Sequence, residues 1–221
     1  MSFRSALILS TVLAAWSAAA RAETIKIGVT PGPHAQIFEA VKPVAAKQGL
    51  DIQLIEFSDY VVPNAALDAG DIQANSFQNQ PYLDNQKADR GYKIEAVGLT
   101  VNFPIGVYSK KHKSWADIPD GGKVSIPNDP TNGGRVLLLL RDKGAIKLKD
   151  GTGFKPTVLD ITENPKKLKF IEVDAAQAPR ALDDVDAAAI RMRAIEPTSG
   201  PSARPVPWTA KDVTKPKPSA A

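Results

Sequence analysis

The sequence predicts an α/β fold of mainly parallel sheets flanked by helices, arranged as two αβ lobes. Two observations predict it. Short β-like runs alternate with amphipathic helical runs along the body of the 221-residue chain, the pattern of βαβ units covered on both sheet faces. The alternation also restarts after Phe103, so the lobes should meet near residues 100–104.

The first strand spans Thr24 to Thr30, where Ile25, Ile27 and Val29 fall on one face. From His34 to Gln48, the residues Ile37, Val41 and Val44 recur at helical spacing, and Gly49 supplies a stop. A strand follows at Ile52 to Phe57, a short helix opened by Pro63, extended chain from Ile72 to Phe77, and a helix from Gln80 to Arg90 closed by Gly91. Ile94 to Leu99 reads as a further strand. The second half repeats the scheme, with strands at Ile105 to Tyr108 and Lys123 to Ile126 on either side of a capped turn at Ser114. A helix from Arg135 to Lys143 ends at Gly144. Thr157 to Ile161 and Phe170 to Val173 are extended, Ala175 to Leu182 is a last helix, and Val185 to Ile190 a last strand.

Both ends depart from this pattern. Residues 1–22 carry Arg4, an apolar run from Ala6 to Trp16 and a small-residue end, Ala20-Arg21-Ala22. That is the layout of a secretory signal peptide, and the run falls short of the ~20 residues needed to cross a bilayer. Residues 191–221 hold six prolines and no apolar period, which predicts an irregular tail. The expected organisation is therefore signal 1–22, first lobe 23–100, second lobe 101–190 and tail 191–221.

Composition narrows the function. There is no cysteine, which excludes disulfides, thiolate nucleophiles and a lipid anchor on an N-terminal cysteine. The net charge of +4 lies at the ends, +2 in the signal and +4 after residue 190, so the body carries −2. That distribution, without a basic groove, argues against a nucleic-acid partner. Catalytic material is thin. His34 and His112 are far apart, and His112 sits in the charged run Lys110-Lys111-His112-Lys113, read as a solvated loop. His34 stands at a helix start, suited to capping or to ligand contact. Asp183, Asp184 and Asp186 read as solvated carboxylates rather than a metal site. The chain reads as a binder rather than an enzyme, with no cofactor.

Two stretches suit binding. In Ser125-Ile126-Pro127-Asn128-Asp129-Pro130-Thr131-Asn132-Gly133-Gly134-Arg135 a strand ends, a turn follows and a helix opens near Arg135. Free N–H groups at a helix start attract anions, and a guanidinium can grip a carboxylate through two parallel hydrogen bonds. The same residues also suit an ordinary capped helix with a solvated arginine. The adjacent glycines, Gly133 and Gly134, suit close approach of backbone to a ligand. The second stretch, Phe77-Gln78-Asn79-Gln80-Pro81-Tyr82-Leu83, puts aromatics and amides where a strand passes into a helix, the usual ligand position in open α/β sheets. Phe77 and Tyr82 either cover an apolar ligand group or pack in the lobe core.

The run of ANSFQNQPYL, FPIGVYSKK, SIPNDPTNGGRVLLLL, LDITENP and AAQAPRALDDVDAAAI resembles the MetQ/NlpA substrate-binding family over roughly Glu23 to Ile190. The resemblance implies a two-lobed, periplasmic-binding-protein-like clamshell that captures an amino acid, most often methionine, for an ABC-transporter permease in the inner membrane. It assigns the ligand carboxylate to Arg135, pocket lining to Tyr82, and the apolar ligand group to Phe77 and Phe103. Asn132 joins the set as a ligand residue from the helix-start motif. Asn79 stands where the family often has histidine. Many members are lipoproteins, so a signal without cysteine implies a free periplasmic form. The family also has a small polar residue after the last strand, and further elements recross to the first lobe. Arg191-Met192-Arg193 and a proline-rich tail stand there instead, implying a truncated or frameshifted end, an incomplete first lobe and weakened ligand binding.

Overall fold

A computed structural model describes residues 23–101, 103–191 and 204–207. The signal-like segment 1–22 and most of the tail lie outside them. Two sheets organise the body, as the alternation predicts.

The first sheet has the order β2-β1-β3, all parallel. It contains β1 (Glu23–Val29), β2 (Leu50–Glu56) and β3 (Ala74–Ser76). Between the first two runs α1 (Pro33–Ala46), which opens with proline in its first turn, where the absent N–H costs nothing. Ile27, Val29, Ala35 and Ile52 form the core of this lobe, with Phe38 and Leu54 packed against it. The apolar row expected to seat α1 is not the one that does so. Ala35, Phe38 and Ala45 face the sheet, while Val41 and Val44 stay 37% and 55% exposed, because among the described residues no element lies over the outer side of α1. The lobe is completed by α2 (Val62–Asp68) and α3 (Gln80–Arg90). Asn79 caps α3 and Gly91 closes it at φ 75°, a conformation that favours glycine.

Residues 91–100 correct the strand expected at Ile94 to Leu99. They join no ladder, and Val97 and Leu99 are 99% and 98% exposed. An apolar alternation makes a strand only where a partner offers matching N–H and C=O groups, and no described strand does so.

The second sheet has the order β10-β4-β9-β5-β8. It contains β4 (Ile105–Ser109), β5 (Lys123–Pro127), β8 (Lys169–Val173), β9 (Ala187–Arg191) and β10 (Arg204–Pro205). A small hairpin, β6 (Lys147–Leu148) with β7 (Ile161–Glu163), stands apart from it. Here β5 runs parallel to β8 and to the central β9, and β4 runs antiparallel to β9. One face packs on α4 (Pro130–Asp142) through Val136, Leu137 and Leu140. The other packs on α5 (Ala178–Ala181) and Leu182.

Two further expectations change. The helix at Ala175 to Leu182 shortens to the single turn of α5, and Val158–Asp160 forms a 3-10 turn boxed by Thr157 rather than strand. Part of the tail expected to be irregular is ordered instead. Arg204 and Pro205 pair with Ser109 and Tyr108, and Val206 is buried in the core beside α4. Proline is tolerated here because β10 is an edge strand, and a two-residue strand leaves no period to read. No helix among the described residues is long and apolar enough to cross a membrane.

Candidate functional site

A cavity of about 780 Å³ opens between the two sheets, within the usual range for small-molecule sites. Four of the residues singled out from sequence line it: Phe77, Asn79, Phe103 and Arg135. Tyr82 and Asn132 are buried beside it and do not line it.

Arg135 sits differently from the expected helix start. The helix begins at Pro130, so Arg135 belongs to its second turn. Its first turn is already occupied: the Asp129 carboxylate accepts from the Asn132 N–H at 2.8 Å and from the Asn132 side-chain amide at 3.0 and 3.1 Å. Asn132 then accepts from Arg135 Nη1 at 3.1 Å, and Arg135 Nη2 reaches the Phe103 carbonyl at 3.5 Å. Asp129, Asn132 and Arg135 thus form a relay that holds the guanidinium in place. Burial lowers the proton affinity of Arg135, the nearby Arg191 lowers it further, and Asp129 works against both. A guanidinium stays charged regardless.

The two glycines serve packing rather than a ligand. A Cβ at Gly133 would lie 2.6 Å from the Pro127 carbonyl oxygen, and one at Gly134 would lie 2.8 Å from that of Phe154. The chain's own backbone takes the approach that the motif suggested for a ligand.

Phe77 is 1% exposed and meets Tyr82 edge-on at 6.0 Å between centroids. The Tyr82 hydroxyl donates to the Tyr60 carbonyl at 2.8 Å. Burial pushes its pKa upward, and the carboxylates of Asp129, Asp174 and Asp59 push it further, so the phenol remains a neutral donor. Asn79 spends its side-chain oxygen on the Tyr82 N–H at 2.9 Å. His34 is a core histidine in the first turn of α1, 3.1 Å from the Ser76 hydroxyl and edge-on to Phe103.

Arg191 is the contributor that the sequence does not reveal. Its Nη1 donates to the Phe77 carbonyl at 3.2 Å, and its guanidinium lies over the rings of Phe103 and Tyr60. It lines the cavity from the last position of β9. Two signals touch the position, strand alternation beyond Ile190 and the small polar residue that the family has after that strand, but the charged, proline-rich composition that follows hides the first and Arg191 departs from the second. Gln78 belongs to the strand-to-helix stretch whose amides were expected to suit binding. It joins Asn64 and Asn75 in a partly buried amide network at the turn after β3.

His112 and Asp186 correct the reading of solvated charges. Asp186 Oδ1 meets His112 Nε2 at 2.9 Å with side chains only 22% and 19% exposed, and its other oxygen accepts from the Lys123 N–H. Among the described residues no group of three or more His, Cys, Asp or Glu side chains could hold a metal ion.

The family model for the NlpA lipoprotein matches residues 25–201. The chain belongs to the NlpA lipoprotein family. Among its NlpA relatives, the D-methionine-binding lipoprotein MetQ of Escherichia coli strain K12 is 57% identical over 165 residues, covering 74% of this chain and 61% of the relative. This NlpA chain therefore spans about three fifths of the curated relatives it matches. A nutrient binding protein from Burkholderia cenocepacia, solved bound to methionine, superposes with a TM-score of 0.73 at 52% identity, covering 87% of each chain. A periplasmic substrate-binding protein of an ABC transporter from Coxiella burnetii gives 0.72 at 46%, covering 77% of this chain and 72% of that one. These likenesses establish the two-lobed, binding-protein α/β fold.

Proposed function

We propose that this chain is an exported solute-binding protein that captures an amino acid, methionine or a close analogue, and delivers it to an ABC-transporter permease in the inner membrane. The observation that carries the reading is the guanidinium of Arg135, fixed by Asn132 and lining the inter-sheet cavity. Such a fork matches a carboxylate through two charge-assisted hydrogen bonds. Phe77 and Phe103 line the same cavity and supply apolar surface for a thioether side chain. Methionine bound in a relative 52% identical supports the choice of ligand. Tyr82 and Asn132 act behind the surface, Tyr82 by packing on Phe77 and Asn132 by orienting Arg135.

The lobes divide as 23–100 and 101–190, with the signal-like segment 1–22 directing export to the periplasm. The protein performs no chemistry on its ligand and uses no cofactor. A second reading, an exported remnant without ligand, is favoured by the exposure of Val41, Val44, Val97 and Leu99 on the first lobe. Calorimetry against a panel of amino acids separates the two. Saturable binding of methionine supports capture, and no heat with any amino acid supports the remnant. Intact mass of the exported protein tests the signal, since an N-terminus other than Glu23 counts against it.

A further inference from the structure

The two large sheets repeat one scheme and end differently. In each, the second and third strands flank the first in parallel, as β2-β1-β3 in one lobe and β8-β5-β9 in the other. Beyond β9 the second sheet continues, with β4 antiparallel to it and β10 outside β4. Beyond β3 the first sheet has no further strand among the described residues.

Residues 94–101 run alongside that open edge without joining it. Residues 73–80 and 94–101 line the same cavity, and Phe38 of α1, Leu67 of α2 and Leu83 of α3 line it with them. The order β2-β1-β3 puts α1 and α2 on opposite faces of the sheet, because right-handed crossovers that run in opposite directions cover opposite faces. The groove beside β3 is therefore apolar above and below. A strand entering it is covered on both faces, which calls for a nearly continuous apolar run. At the Phe77 end the groove narrows, where the Ser76 and Thr100 hydroxyls lie 3.5 Å apart.

The chain carries such a run in the segment itself, Ile94-Glu95-Ala96-Val97-Gly98-Leu99-Thr100-Val101. No backbone hydrogen bond engages it among the described residues, and Val97 and Leu99 stand almost wholly exposed. An extended apolar segment with free N–H and C=O groups beside an open sheet edge is a template for pairing with another chain. A two-fold axis perpendicular to the sheet sets the segment of each copy in the groove of the other. The two segments then run antiparallel, and a continuous sheet forms from β3 of one copy, the two segments and β3 of the second copy.

We propose that the first lobe is a dimerisation surface, in which residues 94–101 of each copy enter the groove between β3 and 94–101 of the other. The inserted strand takes the place beside β3 that β4 takes beside β9, and it buries Val97 and Leu99. The inference does not rest on the capture reading, whose residues Arg135 and Arg191 meet the Phe103 and Phe77 carbonyls, past the Ser76–Thr100 contact.

The test is sedimentation velocity of the purified protein over a concentration series, with amide exchange of the same samples, on the wild type, Val97→Asp and Gly98→Pro. Val97 is exposed and a Cβ at Gly98 meets nothing within 4 Å, so neither change enters the protomer's own core. The expected result is a reversible dimer whose 94–101 amides exchange more slowly as concentration rises. Burying a charge at 97, or removing a donor at 98, should raise the dissociation constant by roughly tenfold or more. An inserted segment lies between two strands, so the Gly98 N–H is needed whichever side it faces. Should a variant fail to melt cooperatively, the other variant and the wild-type exchange series carry the comparison. A wild type that stays monomeric, or that aggregates without limit, overturns the proposal, and protected 94–101 amides in a monomer assign the groove to another part of the same chain. A dimer equally strong in both variants, or one that leaves the 94–101 amides unprotected, places the contact elsewhere and overturns it too. Methionine calorimetry on the same samples reads capture separately, and its failure leaves the dimer standing.

Discussion

Arg135 Nη1 donates to the Asn132 side-chain oxygen one helical turn earlier, at 3.1 Å, so the proposed carboxylate clamp is held by the helix that carries it. Removing the clamp should therefore cost binding and leave the fold. Arg135→Ala is expected to weaken methionine binding by about 1.5–3 kcal/mol, roughly tenfold to a hundredfold. Arg135→Lys should recover little, because a point charge cannot reproduce the fork. Titration calorimetry measures both, and an alanine variant that binds as well as the wild type removes Arg135 from the site.

Gly133→Ala tests whether the glycine pair serves packing. In an open helix the change would stabilise by about 1 kcal/mol. Here the new Cβ would lie 2.6 Å from the Pro127 carbonyl oxygen, a backbone atom that cannot turn aside, and such overpacking costs about 1–3 kcal/mol. The loss should win, and urea denaturation should show a lower midpoint. A raised midpoint would mean that the turn before α4 yields easily.

Asp186→Asn addresses acid stability. Burial pushes the Asp186 carboxyl up, but hydrogen bonds from His112 and the Lys123 N–H outweigh it, and the net pKa lies below the usual 3.8. A carboxyl with a depressed folded pKa contributes stability above its unfolded value and loses that contribution as the pH falls through the folded one. The wild type should thus lose stability as pH drops below about 3.8, and the asparagine variant should lose less over that interval. At neutral pH the variant should melt about 2–4 °C lower. Melting temperatures of wild type and variant that run in parallel from pH 7 to pH 2 would rule out this contribution of Asp186.

Val206→Ala probes the ordered part of the tail. Val206 is 4% exposed among the residues that pack on α4, and burying a valine contributes about 1.5–3 kcal/mol. The variant should unfold at lower urea than the wild type. An unchanged midpoint would mean that residues 204–207 do not hold the second lobe together.

Legibility followed the range of the forces involved. The parallel strands and the helix of Gln80 to Arg90 could be read because periodicity, prolines and glycine stops act locally. Arg135, Phe77 and Asn79 were singled out because a turn motif and a strand-to-helix junction carry composition of their own, whereas Phe103 came from the family resemblance alone. Arg191 and Val206 were hidden, since each gains its place from a pairing distant in sequence, Arg191 with Ile105 and Val206 with Val107. Ile94 to Leu99 failed the other way, having the pattern of a strand without a neighbour to complete it.

The relay from Asp129 through Asn132 to Arg135 also bears on timing. A free arginine gives up about 1.5–2 kcal/mol of rotamer entropy when it is ordered, and here folding has already removed much of it. A ligand arriving at the cavity meets a guanidinium that need not be organised during the encounter. Loosening the relay with Asn132→Ala would shift that ordering to the moment of capture, and the lost preorganisation should show chiefly as a shorter residence time rather than a slower approach.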